Sequence, residues 1–133
     1  MNTTDAGRLG EAKVIARLTE LGWYLFSDLS GKCPVDLLAW KDNQVIRIQV
    51  KTSGYSPNQG SYEVKLSSIR PNRTGNTIKK LDANSIDYLA IYLSELDEVC
   101  FVPSEQLGAR TTVAIKVGPG SRSKFVLEDL LEL

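Results

Sequence analysis

The sequence predicts an α/β (α+β) domain built on a central mixed β-sheet flanked by helices. Three observations carry this. One amphipathic helix opens the chain, a series of short apolar strands joined by polar turns follows, and helical signals return only at the periphery near the C-terminal end. With 133 residues and no internal repeat, low-complexity tract or linker, residues 1–133 read as a single domain.

The elements follow in order. Thr4 or Asp5 can cap the first helix, and AGRLGEAKVIARLTELG carries it to a stop at Gly22. Val14, Ile15, Leu18 and Leu21 form its apolar stripe. WYLFSDL reads as a strand over residues 23–28, and SGK as a turn. PVDLLAW and VIRIQVKTS are strands joined by the turn KDNQ. YSPNQGS is a loop, and YEVKLSSI alternates as a strand. RPNRTGNTIKKLDANS reads as a long polar loop with a short helical turn near residues 78–81. IDYLAIYLSE and DEVCFVP form a second hairpin. SEQLGAR is a short helix capped by Ser104, TVAIKV a short edge strand, and SKFVLEDLLEL a closing helix.

Composition removes several classes of chemistry. There is no histidine, which excludes His-dependent triads, His-metal nucleases and most zinc sites. Cys33 and Cys100 are isolated from each other in the sequence, and both read as buried free thiols in a reducing compartment. No signal-peptide pattern or long apolar run is present, so the expectation is a cytoplasmic protein of the bacterial cytosol with no membrane partner. Lys plus Arg and Asp plus Glu are 16 each, but the charge is uneven. Between Thr52 and Lys80 five basic residues face Glu63 alone, while from Leu81 onward acids outnumber bases nine to four. A basic middle suits a local phosphate-binding surface; a solvated loop has the same composition.

Polar residues on the first hairpin raise the main question. A two-residue turn at Asp42-Asn43, or a four-residue loop from Lys41 to Gln44, makes paired positions sum to 85. Either way Asp36 faces Gln49. Ile46, Ile48 and Val50 share one face of the second strand, and Arg47, Gln49 and Lys51 the other. Asp36, Gln49 and Lys51 therefore converge at one end of the hairpin. A solvent-exposed polar face would account for Arg47 equally well. Glu11 lies three and four residues before Val14 and Ile15, one turn earlier on the same helical face. It reads either as a carboxylate continuing a core-facing stripe or as an exposed residue favouring the helix dipole. An acid, a second oxygen ligand and a lysine together suit Mg²⁺-assisted phosphodiester hydrolysis: oxygen donors bind the hard cation, and an ammonium stabilises developing charge.

These pieces, GRLGEAKV, PVD and QVKTS, resemble the PD-(D/E)xK nucleases, with their restriction-endonuclease-like core. The opening helix and spacing are similar to the archaeal Holliday junction resolvases. SIDYLAIYL and EVCFVPSEQL look more like a small bacterial group that includes a cyanobacterial group I intron-encoded homing endonuclease. The resemblance runs from about Gly7 to Leu107. It implies catalytic roles for Glu11, Asp36, Gln49 and Lys51. Glu11, Asp36 and Gln49 would be ligands of Mg²⁺, with Mn²⁺ as a substitute, and Lys51 the motif lysine. Val35 splits the Pro-Asp pair. Gln49 stands where the family usually has Asp or Glu; its amide oxygen still coordinates but carries one charge less, and the resemblance implies that Gln here occurs in active members. Water would attack the phosphodiester, leaving a 5′-phosphate and a 3′-hydroxyl.

For double-stranded DNA, the candidate contacts are Arg70, Arg73, Lys79 and Lys80 to phosphates, and Gln59, Asn72 and Asn76, with Asn58, to base edges. Arg122 and Lys124 form a weaker patch. Cutting both strands calls for two sites, which a homo-oligomer supplies, a dimer or, as the resemblance implies, a tetramer. The apolar C-terminal helix serves as an interface or as core packing. Sequence-specific homing cleavage is the first expectation, junction resolution the second, and a non-catalytic DNA-binding module the third.

Overall fold

Helix α1 spans Thr3–Glu20 in the computed structural model, which describes residues 1–57, 60–72, 75–117 and 125–133, with backbone alone for 68–72, 75–80 and 128. Asn2, not Thr4 or Asp5, caps it: the Asn2 side chain accepts from the Asp5 N–H at 2.8 Å. The chain leaves the helix through Gly22, whose φ of 92° suits a residue without Cβ. Gly10, Val14 and Leu18 form its buried line, while Ile15 of the expected stripe faces solvent.

Strands β1 (Tyr24–Phe26), β2 (Leu37–Lys41), β3 (Gln44–Ser53), β8 (Tyr88–Leu93) and β9 (Glu98–Pro103) make a five-stranded sheet in the order β1-β2-β3-β8-β9. Only the β3–β8 pair is parallel, so the sheet is mixed. The β2–β3 register pairs Lys41 with Gln44 and Leu37 with Ile48, as the sum of 85 requires. Asp42 and Asn43 both have positive φ, the conformation of a tight hairpin turn matched to strand twist.

Each face of the sheet builds its own core. On one, Val14 and Leu18 of α1 meet Leu37, Ala39, Ile48, Ala90 and Phe101. Burying each such large side chain contributes about 1.5–3 kcal/mol. On the other, Leu89, Ile91, Leu93, Cys100 and Val102 pack under a second sheet, β10 (Thr112–Ile115), β5 (Ser61–Lys65) and β4 (Tyr55–Ser56). Strand β8 is covered on both faces, which is why it reads as one apolar run.

Several expectations are corrected. The strand expected over residues 23–28 is limited to β1, and YEVKLSSI divides between β5 and β6 (Ser67–Asn72). The long polar loop is a hairpin of β6 and β7 (Gly75–Lys80), so the helical turn expected near residues 78–81 is strand; backbone pairing there asks nothing of side-chain polarity. A 3₁₀ turn follows at Ala83–Ser85. Ser104 opens a 3₁₀ turn, Ser104–Gln106, without capping it. The C-terminal helix does not form. Residue 126 bridges to Lys116, and only Leu127–Asp129 makes a 3₁₀ turn. Phe125, Leu127 and Leu130 enter the second core, and Phe101 N–H donates to the Leu130 carbonyl at 2.8 Å, so this segment is core packing. Cys33 is exposed, whereas Cys100 is buried. Among the described residues no helix is long and apolar enough to cross a membrane.

Candidate active site

The C-terminal half of β3 is a fixed platform. Ser53 is buried, and its hydroxyl donates to the Glu63 carbonyl at 2.6 Å, tying β3 to β5. The Ser53 carbonyl accepts the Ser94 N–H at 3.0 Å and the Ser94 hydroxyl at 3.2 Å. Side chains on this stretch therefore start from a backbone held on both flanks.

Asp36 reaches the platform from β2. Ladder pairing stops at Leu37, so the next position no longer meets β3 backbone to backbone. The Asp36 carboxylate takes over: its Oδ2 accepts the Val50 N–H at 2.9 Å. This bond satisfies a half-buried donor and pins Asp36 one residue from Lys51. Oδ1 has no partner among the described residues.

Glu11 arrives from the other side. Helix α1 lies so close to β3 at Gly10 that a Cβ there would run into Thr52 Oγ1. The same hydroxyl donates to the Ala6 carbonyl at 3.4 Å. Gly10 and Thr52 thus fix how near the helix comes, and Glu11 is the next residue along it. Neither was singled out in the sequence. A glycine within a helix, costing about 1 kcal/mol against alanine, is the signal that would have drawn attention to the approach.

The result is a cleft of about 450 Å³ at the end of the sheet, lined by Glu11, Asp36, Val50, Lys51 and Thr52, with Gly7, Gly54 and Ser94 at its rim. No hydrogen bond or ion pair engages the side chains of Glu11 or Lys51 among the described residues. Gln49 is half-buried on the Lys51 face of β3, paired in register with Leu89, and does not line the cleft. Of the four catalytic candidates, three share one cavity and the fourth is two residues away along the strand.

The donor set fits a hard cation. Glu11 and Asp36 offer carboxylate oxygens, and no third Asp, Glu, His or Cys joins them among the described residues. Mg²⁺ commonly binds through one or two carboxylates and keeps several waters. A larger cleft, about 590 Å³, lies at the opposite end of β3 beside Arg47, Asp82, Asp87 and Glu105. Two of its carboxylates already have partners. Asp87 accepts from Arg47 Nε at 3.2 Å, Nη2 at 3.1 Å and the Arg47 N–H at 2.7 Å, and Asp82 accepts the Asn84 N–H at 3.0 Å. The Arg47 side-chain bonds hold the Asp87 carboxyl below its usual range.

The DNA-contact candidates fall elsewhere. Arg70 and Asn72 lie on β6, and Asn76, Lys79 and Lys80 on β7, as backbone positions of one hairpin. Asn58, Gln59, Arg73, Arg122 and Lys124 are outside the described residues.

Comparison with known proteins gives two findings. A family model described as PD-(D/E)XK endonuclease matches residues 1–126. The structure of the bacterial homing endonuclease I-Ssp6803I matches with a TM-score of 0.79 at 22% identity, covering 93% of this chain and 84% of that one. At that identity the likeness is one of fold, a restriction-endonuclease-like arrangement. No curated protein matches.

Proposed function

The chain belongs to the PD-(D/E)XK endonuclease family, and from that premise we propose that it is a Mg²⁺-dependent endonuclease of double-stranded DNA, acting in the bacterial cytosol as a homo-oligomer. One observation carries the reading: Glu11, Asp36 and Lys51, from three separate elements, line one cleft. Glu11 and Asp36 would hold the cation, with the Gln49 amide as a further oxygen donor on the same strand as Lys51. When bound, Mg²⁺, or Mn²⁺ in its place, would supply positive charge to a scissile phosphate and make a water more acidic. Lys51 sets an ammonium beside the same phosphate, where it orients the attacking water or stabilises the charge that develops. The Val50 N–H keeps Asp36 from turning away. Thr52 holds α1, and so Glu11, at a fixed distance.

The substrate we assign is a specific duplex site, cut in the manner of homing. The fold shared with a homing endonuclease supports this. The β6–β7 hairpin, carrying Arg70, Asn72, Asn76, Lys79 and Lys80, is the DNA-contacting element in this reading, and Gln59 and Arg73 are further candidate contacts.

The test is cleavage of supercoiled plasmid, a random duplex library and a synthetic four-way junction, each with Mg²⁺ and with EDTA. Wild type cuts duplex DNA only with the metal, and Asp36→Ala and Lys51→Ala do not. Cutting confined to junctions moves the substrate to branched DNA. Cutting that survives EDTA or both substitutions removes the proposed site.

A further inference from the structure

The five-stranded sheet packs α1 on one face and is covered only in part on the other. The second sheet lies over β8 and β9. Over β1, β2 and the start of β3 no described element covers the same face. Tyr24 and Phe26 from β1, Leu38 and Trp40 from β2, and Val45 from β3 all project from it. The register sets them side by side, Tyr24 with Trp40, Phe26 with Leu38, and Trp40 with Val45. The Tyr24 and Trp40 rings sit 5.8 Å apart.

Each of these five side chains is between 38% and 64% exposed. Taking roughly 200 Å² for each when fully exposed, the patch offers about 500 Å² of contiguous apolar surface, the scale of patch that marks an interaction site. Its one charged neighbour on the strand, Arg47, is already neutralised by Asp87 of the same chain at 3.1 Å.

We propose that this bare face pairs with the same face of a second copy of the chain, forming a two-fold dimer. The area is the first reason. Two such patches facing each other bury about 1,000 Å² in total, the lower bound for a specific interface. The charge balance is the second. A two-fold axis sets each residue near its own copy or its neighbours' copies, so an unpaired charge would meet its like; a face of aromatic and aliphatic side chains with an internally paired arginine escapes that penalty. Location is the third. None of the five residues lines the Glu11, Asp36 and Lys51 cleft, so the pairing uses no side chain of the proposed site. The proposal names the partner surface for the duplex-cutting nuclease described above, and it rests on that reading for the use of two sites, though not for the surface itself.

The experiment is sedimentation equilibrium on wild type, on the double variant Tyr24→Glu/Val45→Glu, and on Tyr24→Phe. Circular dichroism and thermal melts confirm that each is folded; the substituted side chains are exposed, so the fold tolerates the charge. Nicking of plasmid by each protein is measured alongside. Wild type and Tyr24→Phe should have the mass of a dimer or a higher even assembly. The double variant should fall to half that mass or less, its dissociation constant raised about 100-fold or more by four glutamates placed in an apolar contact. A monomeric wild type, or a folded double variant of unchanged mass, overturns the interface. Absence of Mg²⁺-dependent nicking with assembly intact overturns the nuclease reading and leaves the interface standing.

Discussion

The two ends of β3 treat their polar residues in opposite ways. At the start, Arg47 is matched by Asp87 through side-chain and backbone bonds and by the Asn84 carbonyl at 3.3 Å. At the finish, Lys51 and the neighbouring Glu11 make no such pair among the described residues, and Asp36 commits only one carboxylate oxygen. Charges that serve the fold are matched within the chain. Charges left convergent and unmatched in a cleft are available to something outside it, and their mutual placement is maintained by uncharged atoms: a backbone N–H, a threonine hydroxyl and a glycine without Cβ.

Substitutions at the two ends should separate along that line. Lys51→Ala should lower cleavage by about 10²–10⁴-fold while leaving the melting midpoint almost unchanged, because the ammonium supports chemistry and no fold contact. Next in size is Gly10→Ala. The added methyl meets Thr52, and the overpacking of about 1–3 kcal/mol outweighs the helix-propensity gain of about 1 kcal/mol. Cleavage should drop about tenfold as Glu11 shifts, and Thr52→Ala in the same protein should restore part of both losses. A melt and a cleavage rate for the single and double variants check this. Gln49→Glu sharpens the free end: it adds a negative charge near the cleft, and the Mg²⁺ concentration for half-maximal cleavage should fall about tenfold.

The smallest effect on activity belongs to the matched end. Arg47→Ala should leave the cleavage rate unchanged and lower the melting midpoint slightly. Its signature is in acid. The folded-state pKa of Asp87 lies below the usual 3.8, so its contribution to stability is present above that value and is lost as pH falls through the lower one. In Arg47→Ala the side-chain part of the depression is lost while the backbone N–H bond remains, and acid melts of wild type and variant should converge at low pH. Curves that stay parallel would sink the assignment.

The sequence makes some of this legible and hides the rest for physical reasons. The β2–β3 register follows from a turn whose two residues, Asp42 and Asn43, tolerate positive φ. The β8–β9 hairpin follows from an apolar run too long and too dense for a surface strand. The β6–β7 hairpin escapes because its polar residues carry no alternating burial signal. The C-terminal segment misleads differently. Its apolar residues do occur near helical spacing, but Phe125 and Leu127 enter the same core two positions apart, and the backbone is engaged with Lys116 instead. Within the cleft, the place of Glu11 one turn before the core stripe leaves it readable as either a core-facing or an exposed carboxylate, and only the family resemblance singles it out. The close approach at Gly10 is not, since it depends on the partner surface at Thr52, forty-two positions further along the chain. Gln49 shares its face with Lys51 as alternation requires, yet lies outside the cleft, because alternation fixes the face of a residue and not its distance from the sheet's end.

The contrast between the two cysteines turns the chain into a ready substrate for covalent labelling. Burial pushes the Cys100 thiol up to about 12, so that group stays protonated and shielded, whereas Cys33 is open to solvent three positions before Asp36. A thiol-selective dye or spin label added to the native protein therefore attaches at one place, on the segment that delivers Asp36 to β3, with no residue added or removed to direct it.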